Sequence, residues 1–450
     1  MKPNAKPKFI NLHGITIPRE WLTQNFVVTG TTGAGKSRGL LKPIIGQCVS
    51  QGDAAVIYDV KGDLLPIVQE ALAACGRSKD LVTLGTGKTD VTFNPLGDEA
   101  LATHQIVQQL LAAVSLTGPT ANQRTSNEDL FWSSARTELL CALVELARQS
   151  LSGTGTSLNF SHLSKLRANL SQSSTAVLRW AKEVAAILPE NSGASLVEFA
   201  SLPENTRTCV VNSVSSIIAP FLRAPLSDFV FPTAQRPAFQ LTDLFDRSRV
   251  VVVTAGRAEH AADLWPAFIL FKAALYKMVL ARPRLPVRQD NQVLVVLDEY
   301  TRMLTTHDSQ SSEHVVLEQA RSSKFSFVLA CQNLSGLEAI GGHVIVDKIM
   351  ALASNFCFLA NNCPATARLA QRVLGTRKNF VRHESVVSRP PPPLLFPDAS
   401  QATENTVTNT VLVPTEEPVV SASELARLKP GDGHLKLLDG TIHKIQCTFD

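Results

Sequence analysis

A glycine-rich loop between an apolar run and a helical stretch constrains this chain more than any other feature. The loop is Gly30–Ser37, with the sequence GTTGAGKS, and it matches the pattern GxxxxGK[ST] in full. The run NFVVTG (25–30) leads into it, and SRGLLKPIIGQCVSQ (37–51) follows it. Glycines let the backbone wrap closely enough for its amides to point at phosphate groups, and the new helix adds its positive end. The order of strand, loop and helix predicts a nucleotide-phosphate site.

The groups of this loop are expected to make different contacts with a nucleotide. Lys36 should bridge the β- and γ-phosphates, and the Ser37 hydroxyl should bind Mg²⁺. The other loop residues should cradle the phosphates through their backbone: Gly30, Thr31, Thr32, Gly33, Ala34 and Gly35. The predicted cofactors are ATP and Mg²⁺.

Short apolar runs alternate with helical stretches towards both ends of the chain. Continuous runs of Val, Leu and Ile separated by helices indicate a parallel sheet covered on both faces. The runs are 25–30, 54–60, 81–85, 249–255, 293–300, 325–333 and 355–362. We therefore predict an α/β protein with a mostly parallel central sheet.

The middle of the chain has few strand-like runs, and its apolar residues recur at helical spacing. The clearest examples are 101–116, 129–149 and 174–188. This pattern predicts an all-α domain, residues 98–240, inserted into one nucleotide-binding domain. The two parts of that domain are predicted as residues 1–97 and 241–380.

The composition changes again in the last predicted segment, residues 381–450. Its prolines exclude helix and inner strand from SRPPPPLLFPDAS (388–400) because proline lacks the amide donor. The following stretch to Pro418, rich in Thr, Asn and Val, is expected to loop over the surface. Residues 433–447, with Asp439-Gly440 as a turn, predict a hairpin-like end.

The charge and cysteine content limit the classes of site. The net charge is +4 at pH 7, well below that of a protein coated in nucleic acid, so any positive charge that binds DNA must be local. Scattered candidates are Arg377-Lys378, Arg382 and 282–288, for which solvated surface is the favoured interpretation. The 8 cysteines form no CxxC pair, which favours buried free thiols over a metal site or a disulfide framework.

No apolar run reaches the ~18 uninterrupted residues of a membrane span. The closest run is 264–281, which Lys272 and Lys277 interrupt. We therefore predict an amphipathic helix packed on the sheet and no transmembrane segment in this chain.

A pair of carboxylates ends the apolar run VLVVLDEY (293–300). Asp298 should reach the Mg²⁺ shell, directly or through water, and Glu299 should polarise the attacking water. An apolar strand followed by Asp-Glu is common, but together with a complete phosphate loop it indicates a nucleotide-hydrolysing site.

Two further polar residues belong to the run FSFVLACQN (325–333) and its approach. Gln332 lies at the predicted carboxyl end of a strand, where open α/β sheets bind their ligands, so it is expected to face the γ-phosphate. Arg321, just before the run, is a candidate arginine finger that completes the site of a neighbouring subunit. A solvated arginine at a helix end fits the same residues.

The combination of motifs resembles the coupling-protein ATPases of conjugation and type IV secretion, the TraG/TraD kind. The resemblance rests on the phosphate loop, DVKGDL (59–64), FNPLGD (93–98), VVLDEY (295–300) and VLACQN (328–333). In that family, the second of these motifs follows the phosphate loop and FNPL leads into an all-α domain. The resemblance covers nearly the whole chain, and the separation of Arg321 and Gln332 also matches the family.

The resemblance implies a RecA-like P-loop motor that forms a homohexamer around a central channel. Its expected partners are single-stranded DNA bound without sequence specificity, a relaxase or secreted protein, and type IV secretion channel components. The expected location is cytoplasmic, or peripheral at the inner membrane through a partner. Typical members carry N-terminal transmembrane helices, whereas this chain begins almost at the phosphate-loop strand. A soluble variant, a separate anchor protein and a truncated chain are the three explanations.

Three functions are compatible with these residues. The first is an ATP-hydrolysing motor that moves DNA or a nucleoprotein to a type IV secretion channel. The second is a substrate-docking platform that binds nucleotide and hydrolyses little. The third is a pump for duplex DNA of the HerA/FtsK kind, which shares the ATPase core.

Overall fold

Thirteen strands occur in the computed structural model, which describes residues 8–86, 89–99, 101–115, 127–255, 261–305, 312–389 and 405–448. They are β1 Phe9–Leu12, β2 Ile15–Pro18, β3 Phe26–Thr29, β4 Ala54–Asp59, β5 Leu81–Gly85, β6 Val250–Thr254, β7 Val293–Leu297, β8 Phe325–Cys331, β9 Asn355–Leu359, β10 Thr376–Arg389, β11 Asn405–Pro418, β12 Asp432–Lys436 and β13 Ile442–Gln446.

The helices lie between these strands. They are α1 Lys42–Ser50, α2 Leu64–Ala74, α3 Thr103–Ser115, α4 Asn127–Leu151, α5 Phe160–Asn169, α6 Ser174–Ala185, α7 Glu190–Ser201, α8 Glu204–Ile218, α9 Leu226–Val230, α10 Asp243–Asp246, α11 Ala261–Ala281, α12 Tyr300–Met303, α13 Glu313–Gln319, α14 Leu334–Ala351, α15 Pro364–Leu374 and α16 Ala422–Arg427. A π-helical turn, Lys36–Leu41, joins the phosphate loop to α1.

The central sheet has nine strands in the order β13-β12-β9-β3-β8-β7-β4-β6-β5. The strands from β9 to β5 in this order are all parallel, and every predicted apolar run contributes one of them. Because parallel strands need crossover connections, helices cover both faces and both faces must be apolar. The predicted α/β class with a mostly parallel central sheet is confirmed.

Alternation along the strands divides the core between the two faces of the sheet. Val28 and Ile57 face the core formed with α1, α2 and the β1–β2 hairpin. Val27 and Val56, one residue earlier, face the core formed with α11 and continuous with the helices of the middle region. The phosphate-loop helix and the middle helices therefore lie on opposite faces.

The middle region is helical in the part of it that the structure describes. Between β5 and β6 the chain forms α3 to α10, and α3 packs against α11, which covers the sheet. The two isolated bridges of this region, Leu84 with Val91 and Thr92 with Ala238, lie beside the sheet. The division at residues 97, 240 and 380 stays a prediction.

The C-terminal hairpin forms as predicted and, in addition, extends the central sheet. β12 and β13 are joined through the turn at Asp439-Gly440, and β12 pairs antiparallel with β9. Leu435 on β12 pairs with Cys357 on β9 and is fully buried. The hairpin therefore covers β9, which would otherwise be the edge strand beside β3, the strand that leads into the phosphate loop.

The expectation of a surface loop up to Pro418 was wrong. Residues 405–418 form β11, which pairs along its whole length with the 14-residue strand β10. The two strands form a separate sheet of their own. Both edges of such a ribbon are open, which explains how β11 accommodates Pro414 and Pro418. Ser388 and Arg389 end β10, and the rest of the proline-rich segment lies outside the described residues.

Helix α11 contains the apolar run that was predicted to be amphipathic. Together with the short turn Arg282–Arg284 that continues it, this helix (Ala262–Arg284) is the one helix among the described residues that is long and apolar enough to span a membrane, and 67% of its apolar window is buried in the protein. The two lysines that interrupt the run have different environments. Lys272 is buried, whereas Lys277 is partly exposed and pairs with Asp98.

A buried carboxylate on α13 makes the burial of Lys272 possible. Glu313 forms an ion pair with Lys272, and both side chains are 1% exposed. Glu313 also accepts hydrogen bonds from the Tyr276 hydroxyl and from the Thr305 amide and hydroxyl, both at 3.2 Å. Burial lowers the pKa of Lys272, although Glu313 acts in the opposite direction. The pair joins α11 to the segment that follows β7.

We predict that Glu313→Ala lowers the free energy of unfolding by about 3–5 kcal/mol, because it leaves the Lys272 ammonium buried without its counter-charge. The double variant Lys272→Met/Glu313→Leu should lose less than half of that, since it removes both charges and keeps apolar volume. Urea unfolding followed by circular dichroism measures the difference. A double variant less stable than Glu313→Ala would contradict this account.

Candidate active site at the carboxyl edge of the sheet

The phosphate loop is fixed by backbone hydrogen bonds to the strands beside it. The Gly30 amide donates to the Cys331 carbonyl at 3.3 Å, and the Thr31 amide donates to the Ala360 carbonyl at 2.9 Å. From the C-terminal segment, the Gly431 amide donates to the Ala34 carbonyl at 3.0 Å. The loop is thus held by the ends of β8 and β9 and by the segment before β12.

Two of the glycines are required by the geometry of the loop. A Cβ atom on Gly30 would lie 2.9 Å from Cβ of Leu359 and 3.1 Å from Cβ of Ala34, closer than side chains tolerate. Gly35 has φ of 103°, in the left-handed region that favours glycine, and it directly precedes the first helical turn. Any other residue would have to displace a neighbour at position 30 or adopt a strained backbone at position 35.

Lys36, near the end of the phosphate loop, is buried. Its ammonium donates to the carbonyls of Gly30 at 2.6 Å and Thr31 at 3.2 Å. Burial lowers the pKa of Lys36, while Asp298 and Glu299 act in the opposite direction. The phosphate loop and the acidic pair are therefore close enough to interact electrostatically.

Asp298 follows the last residue of β7 and is buried. Burial raises the pKa of its carboxyl to about 6, and the neighbouring Glu299 carboxylate adds to this, whereas Lys61 and Lys36 oppose it. Its Oδ1 accepts the amide of Glu299 at 3.1 Å. A cation at this carboxylate would favour the charged form.

Glu299 is turned away from the strand direction by its backbone. Glu299 has φ of 59° and ψ of 42°, a left-handed conformation. The direction of its side chain therefore does not continue the alternation of side chains along β7. Its carboxylate forms an ion pair with Lys61 and accepts the Gln332 amide at 3.3 Å on each oxygen. Burial alone would raise the pKa of Glu299, but Lys61 and Gln332 outweigh it and the pKa lies below its usual value.

The turn after β4 places Lys61 beside Glu299. Asp59, which is buried, accepts the Gly62 amide at 2.9 Å and the Leu65 amide at 2.7 Å. These bonds close the turn between β4 and α2, and Gly62 takes φ of 81° within it. Because β4 is the neighbour of β7 in the sheet, the turn lies next to the acidic pair.

Gln332 follows β8, the neighbour of β7 on the other side. The buried Asn361 donates from Nδ2 to the Gln332 carbonyl at 2.7 Å, and its Oδ1 accepts the Cys363 amide at 2.9 Å. Asn361 thereby fixes the backbone at Gln332. The side chain of Gln332 was expected at the γ-phosphate, and the structure shows it in contact with Glu299.

Ser37 is half-buried in the first turn after the loop. It lines a cavity of about 450 Å³ together with Gly62 and Asp63. A second cavity of about 400 Å³ is lined by Lys61, Glu299 and other residues: Val60, Thr301, Arg302, Gln332, Asn333 and Gly336. One cavity therefore borders Ser37, a predicted metal ligand, and the other borders the predicted catalytic residues Glu299 and Gln332.

The chemistry of the donors fits Mg²⁺ bound together with a phosphate ligand. Asp298 offers a buried carboxylate and Ser37 a hydroxyl, both oxygen donors of the kind that Mg²⁺ prefers. Within the described ranges no group of three or more His, Cys, Asp or Glu residues could hold a metal. Mg²⁺ commonly takes one or two protein oxygens and completes its shell with substrate phosphates and water.

Arg321 lies at the amino ends of the strands, opposite the carboxyl ends that form the site. It is exposed in the turn between α13 and β8, whereas Gln332 follows the other end of that strand. A 7-residue strand spans about 23 Å, so Arg321 cannot reach the phosphate loop of its own chain. No hydrogen bond or ion pair of its side chain occurs within the described part of the protein.

The scattered positive candidates for DNA contact differ in exposure, and in the region 282–288 Arg284 and Arg288 are exposed. Arg282 is fully buried, donates to the carbonyls of Ser323 at 2.9 Å and Asn291 at 2.8 Å, and is thus part of the core. Arg377, Lys378 and Arg382 are exposed on β10. Arg282 is therefore neither a candidate for DNA contact nor solvated surface, because these hydrogen bonds bury its guanidinium.

Lys61 and Asn361 contact the predicted site residues, and the sequence interpretation gave neither a role. A signal existed for Lys61, which lies in DVKGDL directly after an apolar run. Carboxyl ends of parallel strands meet at one edge, so a lysine after one strand lies near carboxylates after the next. Nothing in the sequence distinguishes Asn361 from its neighbour Asn362.

Comparison with known proteins agrees with this architecture. The family model described as type IV secretory system conjugative DNA transfer matches residues 5–409. No curated protein matches the chain significantly.

Several solved structures share the fold. The unbound monoclinic form of the bacterial conjugative coupling protein TrwBΔN70 is 18% identical, with a TM-score of 0.64, and the match covers 99% of this chain and 90% of that one. TrwB in complex with the ATP analogue ADPNP is 19% identical, with a TM-score of 0.62 and coverage of 99% and 91%. VirB4 of Thermoanaerobacter pseudethanolicus is 13% identical, with a TM-score of 0.54 and coverage of 99% and 97%.

The structural matches confirm the predicted RecA-like P-loop fold with an all-α region, and the family match confirms the resemblance stated from the motifs. Since the family model spans most of the 450 residues, the chain belongs to the type IV secretory system conjugative DNA transfer family.

Proposed function

We propose that this protein hydrolyses ATP and uses the energy to move DNA, or DNA with an attached relaxase, towards a type IV secretion channel. The observation that carries the proposal is the convergence of Lys36, Asp298, Glu299 and Gln332 at one edge of the sheet. Membership of the conjugative DNA transfer family supports DNA as the cargo. Secreted protein substrates and secretion-channel components are further proposed partners.

ATP and Mg²⁺ are the proposed cofactors. The backbone of Gly30–Ser37 would hold the phosphates, and Lys36 would neutralise the β- and γ-phosphates. Ser37 and Asp298 would hold Mg²⁺, which supplies positive charge to the transferring phosphoryl group. The TrwB structures solved with ADPNP and with ADP and Mg²⁺ support this choice.

Glu299 is the proposed catalytic carboxylate. Its side chain borders the cavity of about 400 Å³ at the edge of the sheet, where an attacking water has space beside a carboxylate. The carboxylate would accept a hydrogen bond from that water and aim its oxygen in line with the γ-phosphate. Gln332, in contact with both oxygens of Glu299, would report hydrolysis to α14, which begins two residues later.

Arg321 is proposed to act on the site of the next subunit. Its exposure and its distance from the phosphate loop of its own chain both favour action across an interface. A guanidinium there would neutralise transition-state charge, so hydrolysis would depend on assembly. We propose a homohexamer, located in the cytoplasm or held peripherally at the inner membrane by a partner.

Lys36→Ala and Glu299→Gln should each reduce ATP turnover at least about a hundredfold, since they remove phosphate neutralisation and water positioning. Glu299→Gln should still bind a fluorescent ATP analogue, because the phosphate loop is intact. Turnover is measured by phosphate release from the purified protein with Mg²⁺. A Glu299→Gln protein that hydrolyses ATP at the normal rate would remove the assignment.

Arg321→Ala should be inactive alone but should regain activity when mixed with Glu299→Gln. A mixed oligomer places an intact Glu299 beside a neighbour that still carries Arg321, so complete sites reappear. Arg179→Ala, which changes an exposed arginine on α6, is the matched control and should keep normal turnover. A fully active Arg321→Ala protein would rule out the finger role.

Single-stranded DNA should stimulate ATP turnover more than duplex DNA of equal length, and the stimulation should fall steeply with salt because backbone phosphates make the contacts. The measurement is the turnover rate with each DNA over a salt series. Greater stimulation by duplex DNA would favour the HerA/FtsK kind of pump. No stimulation by either would favour the docking platform.

A further inference from the structure

The carboxylate of Glu299 is held from both sides by residues of neighbouring strands. Gln332, after β8, donates to both carboxylate oxygens, and Lys61, after β4, pairs with Oε1. Glu299 itself follows β7, the strand that lies between β8 and β4 in the sheet. A side chain held at two points can adopt few rotamers. A group that positions a water molecule for attack requires such a fixed orientation.

We propose that Lys61 is a positioning residue that holds the Glu299 carboxylate in its productive orientation for hydrolysis. Because Glu299 aims the water only under the proposed function, this role rests on that function as well. Lys61 itself needs no contact with the nucleotide. Its effect on the reaction passes through the carboxylate.

Hydrogen bonds to Asp59 fix the backbone of the turn that carries Lys61. Asp59 is completely buried, and both its carboxylate oxygens are used to bind amides of the turn, those of Gly62 and Leu65. Gly62 supplies the left-handed backbone, with φ of 81°, immediately after Lys61. The position of the lysine backbone is therefore fixed relative to β4 and so relative to Glu299.

The exposure of the pair argues against a purely structural role. The Lys61 side chain is 44% exposed and that of Glu299 is 10% exposed. The lysine end of this ion pair is open to water, and Gln332 still contacts the Glu299 carboxylate when Lys61 is removed, so the loss of Lys61 should cost about 1 kcal/mol of stability and leave the fold intact. The consequence of losing the pair should appear in the rate of the reaction and not in unfolding.

The other cations around the site are occupied elsewhere. Lys36 donates to carbonyls of the phosphate loop, at 2.6 and 3.2 Å. Arg302, which lines the same cavity as Glu299, has its guanidinium 5.8 Å from the centre of the Trp265 ring. Among the residues that the structure describes, Lys61 is the cation paired with this carboxylate.

The test is single-turnover hydrolysis of ATP by the full chain with Mg²⁺, together with the Kd of a fluorescent non-hydrolysable ATP analogue. Lys61→Met should slow hydrolysis by about tenfold or more, since misplacing a catalytic group can cost up to about a hundredfold. Its Kd should change by less than about twofold, because an open ion pair contributes little to the fold. Lys61→Arg should recover most of the rate, because it restores a cation of similar reach.

The matched control is Lys79→Met, which changes an exposed lysine just before β5, at the opposite edge of the sheet, and it should keep the normal rate. Adding Lys61→Met to Glu299→Gln should cause no further slowing, because Lys61 acts through Glu299. Retained analogue binding shows that each variant is folded.

Two results would overturn the role of Lys61: a normal rate in Lys61→Met, or equal slowing by Lys61→Met with and without Glu299. Failure of the proposed function would look different. In that case Glu299→Gln and Lys36→Ala would hydrolyse ATP normally in the same series of measurements.

Discussion

The site depends on one constraint, the parallel alignment of β3, β8, β7 and β4. Because these strands run in the same direction, the residues that follow each of them meet at one edge of the sheet. That edge brings together the phosphate loop after β3, Gln332 after β8, the acidic pair after β7 and Lys61 after β4. Reversing any of these strands would send its functional residues to the opposite edge, where Arg321 lies.

The two faces of the sheet pack against different elements. On one face, α1 continues the phosphate loop and packs with α2 over the core that contains Val28 and Ile57. On the other, α11 joins the sheet to the middle helices through one continuous core. The Lys272–Glu313 pair links α11 to the segment that follows the acidic pair. Packing thus connects the catalytic edge to the helical region that is predicted to form a separate domain.

Much of this architecture could be predicted because its signals are local. The loop Gly30–Ser37 carries its pattern within eight positions, and the parallel strands are continuous apolar runs, such as 293–297. The interactions that escaped prediction join distant residues. Lys272 can be buried only because Glu313 pairs with it, and β11 forms only against β10. Likewise, the contact between Lys61 and Glu299 follows from the strand order, which no local pattern encodes.

The central claim is that the phosphate loop and Glu299 form one ATP-hydrolysing site. A crystal structure of the full chain with a non-hydrolysable ATP analogue and Mg²⁺ tests it most directly. The account predicts the γ-phosphate within hydrogen-bond reach of Lys36, Mg²⁺ between Ser37 and Asp298, and a water between the γ-phosphate and Glu299. An analogue bound away from Gly30–Ser37, or a Glu299 carboxylate that points away from the γ-phosphate, would contradict it.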